Sequence, residues 1–166
     1  TGRSWRLGVG ARVPGMRYCR AMATSPHPDG FPDRLVAEAL AAARALPLPT
    51  PVFAIAGLQG SGKSTLAAQV AARARSEGLR VAVLSLDDLY LTRTQRQRLA
   101  LDVHPLLATR GPPGTHDVAL GCQVLDALRE GEDVVLPRFD KLADDRTHQD
   151  AWTHVVGRVD LVLQFG

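Results

Sequence analysis

Apolar side chains recur along this chain in two patterns, helical spacing and short continuous runs, and their alternation sketches the fold. Over residues 33–46, Leu35, Ala39, Ala42 and Leu46 fall on one stripe, which predicts an amphipathic helix with Asp33 as its N-cap. Pro47, Pro49 and Pro51 end that helix, and residues 52–56 follow as an almost wholly apolar run of the kind a strand buried on both faces shows. Over residues 63–77 the alanines, Leu66, Val70 and Ala74 return to helical spacing, and Gly78 stands where a left-handed closing residue is wanted. Residues 80–86 are again apolar and β-branched. Strand, helix and strand thus succeed one another at the spacing of a βαβ unit, which predicts an α/β architecture with a parallel sheet.

Further along, residues 92–101 form a polar, Arg-rich helix candidate whose Arg93, Arg96 and Arg98 read as a solvated face, and residues 110–114 form a Pro/Gly loop. A helix is predicted over 115–129, with Val118, Cys122, Leu125 and Leu128 as its buried stripe. Residues 133–136 are a short strand candidate, 137–150 a charged loop and 159–165 a final apolar strand.

Composition adds little until the charge is located. The 166 residues are 45% hydrophobic and 22% charged, ordinary for one globular domain. The net charge of +3 is set by Arg3, Arg6, Arg12, Arg17 and Arg20, which stand in an acid-free start; removing these five from the 20 basic side chains leaves 15 against 17 acidic ones. With no basic stripe and 5% aromatics, a nucleic-acid surface finds no support. Two cysteines, Cys19 and Cys122, make neither a disulfide framework nor a metal cluster and suit a reducing, cytoplasmic setting. No apolar run approaches the length of a membrane span. Residues 1–32 are expected to be a disordered leader and linker, and 33–166 the folded unit. Residues 1–21, upstream of Met22, read as translated sequence without a folded role, although an Arg-rich start also suits an organellar address.

The chemistry concentrates in Gly57-Leu58-Gln59-Gly60-Ser61-Gly62-Lys63-Ser64-Thr65, a complete G-x-x-x-x-G-K-[ST] P-loop lying between a buried strand and a helix. Gly57, Gly60 and Gly62 let the backbone curl with its N–H groups inward. With Ser61, Lys63, Ser64 and Thr65 they are the candidate binders of ATP or a similar nucleotide, aided by the positive end of the following helix. Lys63 would reach the β/γ-phosphates. Ser64 would offer its hydroxyl to Mg²⁺, a hard cation, with Thr65 as a supporting neighbour. Only Lys63 and Lys141 are lysines, arginine serving elsewhere, which marks both as positions where a compact ammonium matters.

Asp87 and Asp88 stand at the carboxyl end of the second strand, where ligands of open α/β sheets collect. Asp87 is the candidate general base for a substrate hydroxyl attacking the γ-phosphate, and with Ser64 a candidate metal contact. Asp88 suits capping or a metal-bound water. The two roles are open to exchange, and either aspartate also suits a helix N-cap.

Three runs, Ser85-Leu86-Asp87-Asp88-Leu89-Tyr90-Leu91-Thr92, Arg110-Gly111-Pro112-Pro113-Gly114-Thr115-His116-Asp117 and Pro137-Arg138-Phe139-Asp140-Lys141, resemble D-glycerate 3-kinases and their bacterial kinase-like relatives. These sit in a wider P-loop group with uridine kinase, phosphoribulokinase and pantothenate kinase, and the resemblance runs from about residue 51 to the end. It implies a P-loop NTPase-type parallel sheet flanked by helices. It also implies ATP and Mg²⁺ as cofactors, and transfer of the γ-phosphate to the hydroxyl of a small molecule. Glycerate, giving 3-phosphoglycerate, is the first candidate. A uridine- or pantothenate-type acceptor, or a non-catalytic nucleotide-binding fragment, is the alternative. By the same resemblance Asp87 matches the group's base, and the second and third runs look like walls of the acceptor pocket. Arg110, His116, Arg138, Lys141 and Arg146 would meet an acidic substrate, with Asp88, Tyr90, Asp117 and Asp140 completing the candidate set. His116 and Asp117 equally suit caps, and Arg146 a solvated pair with Asp144 or Asp145.

The chain departs from the resemblance at its end. The family's strand there runs into Phe-Glu-Gly-Trp, whereas this chain reads Leu163-Gln164-Phe165-Gly166, without the glutamate and without the later strands, adenine-contacting loop and lid helices. The expectation is a kinase core truncated at its C-terminal side, with weakened turnover and an open apolar edge along the first strand.

Overall fold

The computed structural model describes residues 30–166. Of the leader and linker expected over residues 1–32, residues 1–29 lie outside the described residues. Helix α1 (Asp33–Arg44) leads to strand β1 (Val52–Ile55), α2 (Lys63–Ser76), β2 (Val81–Ser85) and a 3₁₀ turn, Leu86–Leu89. Then come α3 (Arg93–Asp102), a second 3₁₀ turn at Pro105–Ala108, α4 (Val118–Glu130), β3 (Val134–Leu136), β4 (Phe139–Asp140), β5 (Asp145–Arg146), β6 (Thr153–Val155) and β7 (Leu161–Phe165).

The main sheet is parallel, with β7 between β1 and β2. All three buried residues that open β7, Leu161, Val162 and Leu163, belong to the core, which is why this run carries no alternation. Leu161 and Leu163 pack under α1 and α2, and Val162 faces α4 with Ala82 and Leu84, so helices cover both sides of the sheet. Strand β1 has β7 as its single partner among the described residues, which places it at the sheet margin. No helix among the described residues is long and apolar enough to cross a membrane.

Several expectations are corrected in detail. In α1 the buried side is Val36, Ala39, Leu40 and Ala43, one position from the stripe read in sequence. Among so many alanines the branched pair Val36 and Leu40, four apart, decides which face turns inward. Pro32, not Asp33, is the N-cap, and Asp33 sits in the first turn, where its charge still suits the helix dipole. Ahead of α1, Gln69 holds the Phe31 backbone, accepting from its N–H at 2.9 Å and donating to its carbonyl at 3.0 Å.

In α4 the helix starts at Val118, capped by Asp117, so Val118 and Cys122 face solvent while Gly121, Val124 and Leu128 are buried. Gly121 is the contact point with the turn that carries the paired aspartates: a Cβ there would lie 3.0 Å from Leu89 Cδ1. The charged loop at 137–150 contains the β4–β5 hairpin, and β6, unmarked by any apolar run, pairs antiparallel with β3.

Candidate active site

Parallel pairing brings the chemistry to one edge. Ile55 at the end of β1 and Ser85 at the end of β2 are both in register with Phe165, so the segments that follow them leave the same side of the sheet, two strand spacings or about 10 Å apart. One of these segments is the glycine-rich loop and the other carries Asp87 and Asp88.

The loop has the backbone the motif requires. Gly60 and Gly62 have φ of 77° and 83°, a region costly for residues with a Cβ, and a Cβ on Gly57 would lie 2.9 Å from Ser61 Oγ. The first amide bonded inside α2 is that of Leu66, to the Gly62 carbonyl at 2.9 Å, so Lys63, Ser64 and Thr65 turn their N–H groups out of the helix start. Amides so placed suit phosphate oxygens as acceptors. The Lys63 ammonium curls back over the loop, donating to the carbonyls of Gly57 and Leu58 at 3.0 and 2.9 Å.

Neither aspartate caps the 3₁₀ turn. Ser85 does, accepting from the Asp87 N–H at 3.2 Å, which leaves both carboxylates for other partners. Asp87 Oδ2 meets Lys141 Nζ at 2.6 Å. Asp88 is pulled inward: its Oδ1 accepts from the Phe139 N–H at 3.0 Å and its Oδ2 lies 3.4 Å from Arg138 Nη1. Burial raises the pKa of Asp88 above the usual carboxylate value, against the lowering effects of the Phe139 N–H and Arg138. The 137–141 run thus docks on the paired aspartates, each acid taking one of its cations.

Around Asp87 lies an aromatic wall. Tyr90 and His116 form an isolated antiparallel bridge, and their rings stack with centroids 4.2 Å apart, while Phe139 meets Tyr90 edge-on at 5.5 Å. Burial first, and the Asp87 charge second, push the Tyr90 phenol pKa up; burial pushes the His116 imidazole below its ordinary value, with Asp87 opposing.

The remaining candidates divide. Arg110 donates to the Lys141 carbonyl at 3.2 Å, pairs with Asp144 and lies over the Phe139 ring at 5.4 Å, so it fixes the hairpin that carries Lys141. Asp117 is both the α4 cap and the partner of Arg146 at 3.1 Å. Arg146 is not in a solvated pair with its neighbours. Its side chain is 13% exposed, donates also to the Tyr90 carbonyl at 2.8 Å, and holds a buried Nε without a hydrogen-bond partner. Asp140 turns its Oδ1 to the amides of Leu142 and Ala143, shaping its own hairpin.

Phe139 stood in the third run but outside the candidate set, and Asp144 was read only as a partner for Arg146; both hold this wall together. Asp144 has φ of 54°, the left-handed conformation at the hairpin bend, and pairs with both Arg96 and Arg110. Its place in an acidic doublet beside an arginine was the available signal, and it pointed to the wrong arginine. As for a metal, no group of three or more His, Cys, Asp or Glu side chains among the described residues could hold one. The Ser64 hydroxyl and Asp87 carboxylate are hard oxygen donors that fit Mg²⁺ shared with nucleotide phosphates, and fit a thiophilic metal poorly.

No family model matches the chain. The chain is 38% identical over 109 residues to "Uncharacterized kinase mug58" of Schizosaccharomyces pombe, an alignment covering 61% of this chain and 39% of that protein. It is 31% identical over 126 residues to the chloroplastic D-glycerate 3-kinase of Arabidopsis thaliana, covering 70% of this chain and 28% of that one. Among solved structures, D-glycerate 3-kinase from Cryptococcus neoformans var. grubii superposes with a TM-score of 0.64 at 32% identity, over 80% of this chain and 50% of the other. These alignments span well under two thirds of each relative. Over the part that it spans, the chain is similar to D-glycerate 3-kinases and other kinases and shares their α/β parallel-sheet fold.

Proposed function

We propose that residues 33–166 form a kinase core that uses ATP to phosphorylate the hydroxyl of a small hydroxy acid, with D-glycerate as acceptor and 3-phosphoglycerate as product. The observation that carries this is the placement of Asp87 level with the P-loop across β7, paired with Lys141, with Arg138 on the adjacent Asp88 and Arg110 on the Lys141 carbonyl. A base alone would suit any alcohol. Cations beside it suit an alcohol that also bears a carboxylate. The D-glycerate 3-kinases among its homologues favour the same acceptor.

In the reaction the acceptor oxygen attacks the γ-phosphorus while its proton passes to Asp87. The bond from the γ-phosphorus to the β,γ-bridging oxygen breaks, and ADP leaves with that electron pair. The amides of the Gly57–Thr65 loop and the Lys63 ammonium hold and stabilise the phosphate oxygens. Mg²⁺ carried with the nucleotide would be held by Ser64 and Asp87 and would supply neutralising charge on those oxygens. Tyr90 and His116 wall the acceptor side of Asp87.

The deciding experiment measures phosphoryl transfer from ATP to D-glycerate by the full chain and its Asp87→Asn variant, with nucleotide affinity read in parallel. Turnover should fall by about 10²- to 10⁴-fold in the variant, while the dissociation constant for ATP changes less than about threefold. A variant that turns over like the parent would remove Asp87 from the chemistry.

A further inference from the structure

The ion pair between Lys141 and Asp87 conflicts with free action of Asp87 as a base. At 2.6 Å the ammonium occupies Oδ2, and a lone pair engaged by an ammonium is not available to a hydroxyl proton. Oδ1 keeps its lone pairs, but a positive charge on Oδ2 disfavours a proton arriving on the same carboxylate, so transfer is helped when Lys141 moves away.

The surroundings favour a side chain that exchanges partners. Both members of the pair are well exposed, 63% for Lys141 and 41% for Asp87, so water screens the contact and its strength is small. The backbone under the lysine is fixed, because Arg110 holds its carbonyl, and only the four-carbon stem needs to swing. Its ammonium makes one hydrogen bond among the described residues, to Asp87. The neighbouring cations are committed elsewhere: Arg138 to Asp88 and Thr153, Arg110 to Asp144, Arg146 to Asp117 and the Tyr90 carbonyl.

Resting on the assignment of Asp87 as base, we infer that Lys141 is a specificity-determining residue shared between two carboxylates: it holds Asp87 until the carboxylate of an incoming hydroxy acid draws it off. An acceptor that brings its own carboxylate releases the base in the act of binding. A neutral polyol leaves Asp87 paired with Lys141. Selection for hydroxy acids would then arise at the chemical step as well as in binding.

The proposal predicts a sign that a merely structural ion pair does not. If Asp87 competes with the substrate carboxylate for one ammonium, removing the Asp87 charge tightens substrate binding. Calorimetric titration of D-glycerate and of glycerol into the full chain, saturated with a non-hydrolysable ATP analogue and Mg²⁺, reads this directly. The parent should bind D-glycerate at least about tenfold more tightly than glycerol, and Lys141→Met should abolish that preference. Asp87→Asn should bind D-glycerate about two- to fivefold more tightly than the parent, the worth of an exposed ion pair. The inference is overturned if Asp87→Asn binds no more tightly, if Lys141→Met keeps the preference, or if the parent does not bind D-glycerate. Turnover is measured separately. Absence of transfer to D-glycerate with this binding pattern intact would remove the reaction proposed above and leave the lysine exchange standing.

Discussion

Arg96 and Asp144 meet at 3.0 Å with the guanidinium wholly buried and the carboxylate 40% exposed. The same guanidinium donates to the carbonyls of Leu91, Ala108 and Asp144 at 3.2, 3.1 and 2.6 Å, and sits 5.8 Å from the Phe139 ring. It therefore bolts α3, the loop before Arg110 and the hairpin bend to one another. The hairpin it fixes also carries Lys141, the partner of Asp87.

Replacing Arg96 by Leu leaves three carbonyls without a donor inside the protein, and replacing it by Lys supplies a point charge where a planar fork is needed. Chemical denaturation should show Arg96→Leu destabilised by about 2–4 kcal/mol, with Arg96→Lys recovering less than half. A loss within about 0.5 kcal/mol would mean that the bolt is dispensable.

Arg96 also shows where sequence reasoning stops. In the polar, Arg-rich segment before it, nothing distinguishes it from Arg93 and Arg98, which are exposed. Its burial depends on carbonyls 12 and 48 residues away. The glycine-rich loop was legible because its chemistry is local: positive φ at Gly60 and Gly62, and a helix start immediately after. The strand-helix-strand order was legible for the same reason. The position of β7 between β1 and β2 was not, since strand order is a non-local choice. The α1 and α4 faces were misplaced by one or more positions because alanine and cysteine fit inside or outside equally well. The docking of Arg138 and Lys141 on separate aspartates depends on a hairpin whose two strands contribute two residues each, too short for any periodic signal.

At the P-loop, Lys63 already spends its ammonium on two loop carbonyls, and a flexible cation can trade these for phosphate oxygens. Lys63→Met should leave the fold intact, since the residue is partly exposed, and weaken binding of ATP with Mg²⁺ by about tenfold or more. Equal affinity in the parent and the variant would show that the amides alone carry the nucleotide.

Asp88 separates the charge of a carboxylate from its shape. Burial raises its pKa, so ionisation costs the fold. With the folded value above the unfolded one, the stability it contributes is fully present below about pH 3.8 and is lost as pH rises through the folded value. Asparagine keeps an acceptor for the Phe139 N–H without the charge. At pH 7 thermal unfolding of Asp88→Asn should match or exceed the parent, whereas Asp88→Ala should unfold several degrees lower, about 1 kcal/mol or more in stability. A large loss in Asp88→Asn would show that attraction to Arg138 outweighs burial.

His116 gives the opposite sign on the same wall. Stacked on Tyr90 and partly buried, its imidazole has a folded pKa below its ordinary value of 6.5, so the fold prefers the neutral ring. Its contribution to stability is complete above that value. As pH falls below 6.5 the unfolded chain takes up the proton first, and stability drains away until the folded pKa is passed. Over that interval the denaturation midpoint of the parent should fall with acidification more steeply than that of His116→Gln. Asp87 opposes the effect, because its charge favours the imidazolium, so Asp87→Asn should move the His116 titration followed by NMR still lower. A His116 midpoint at or above 6.5, or one unmoved by Asp87→Asn, would mean that the ring is more open to water than its stack with Tyr90 implies.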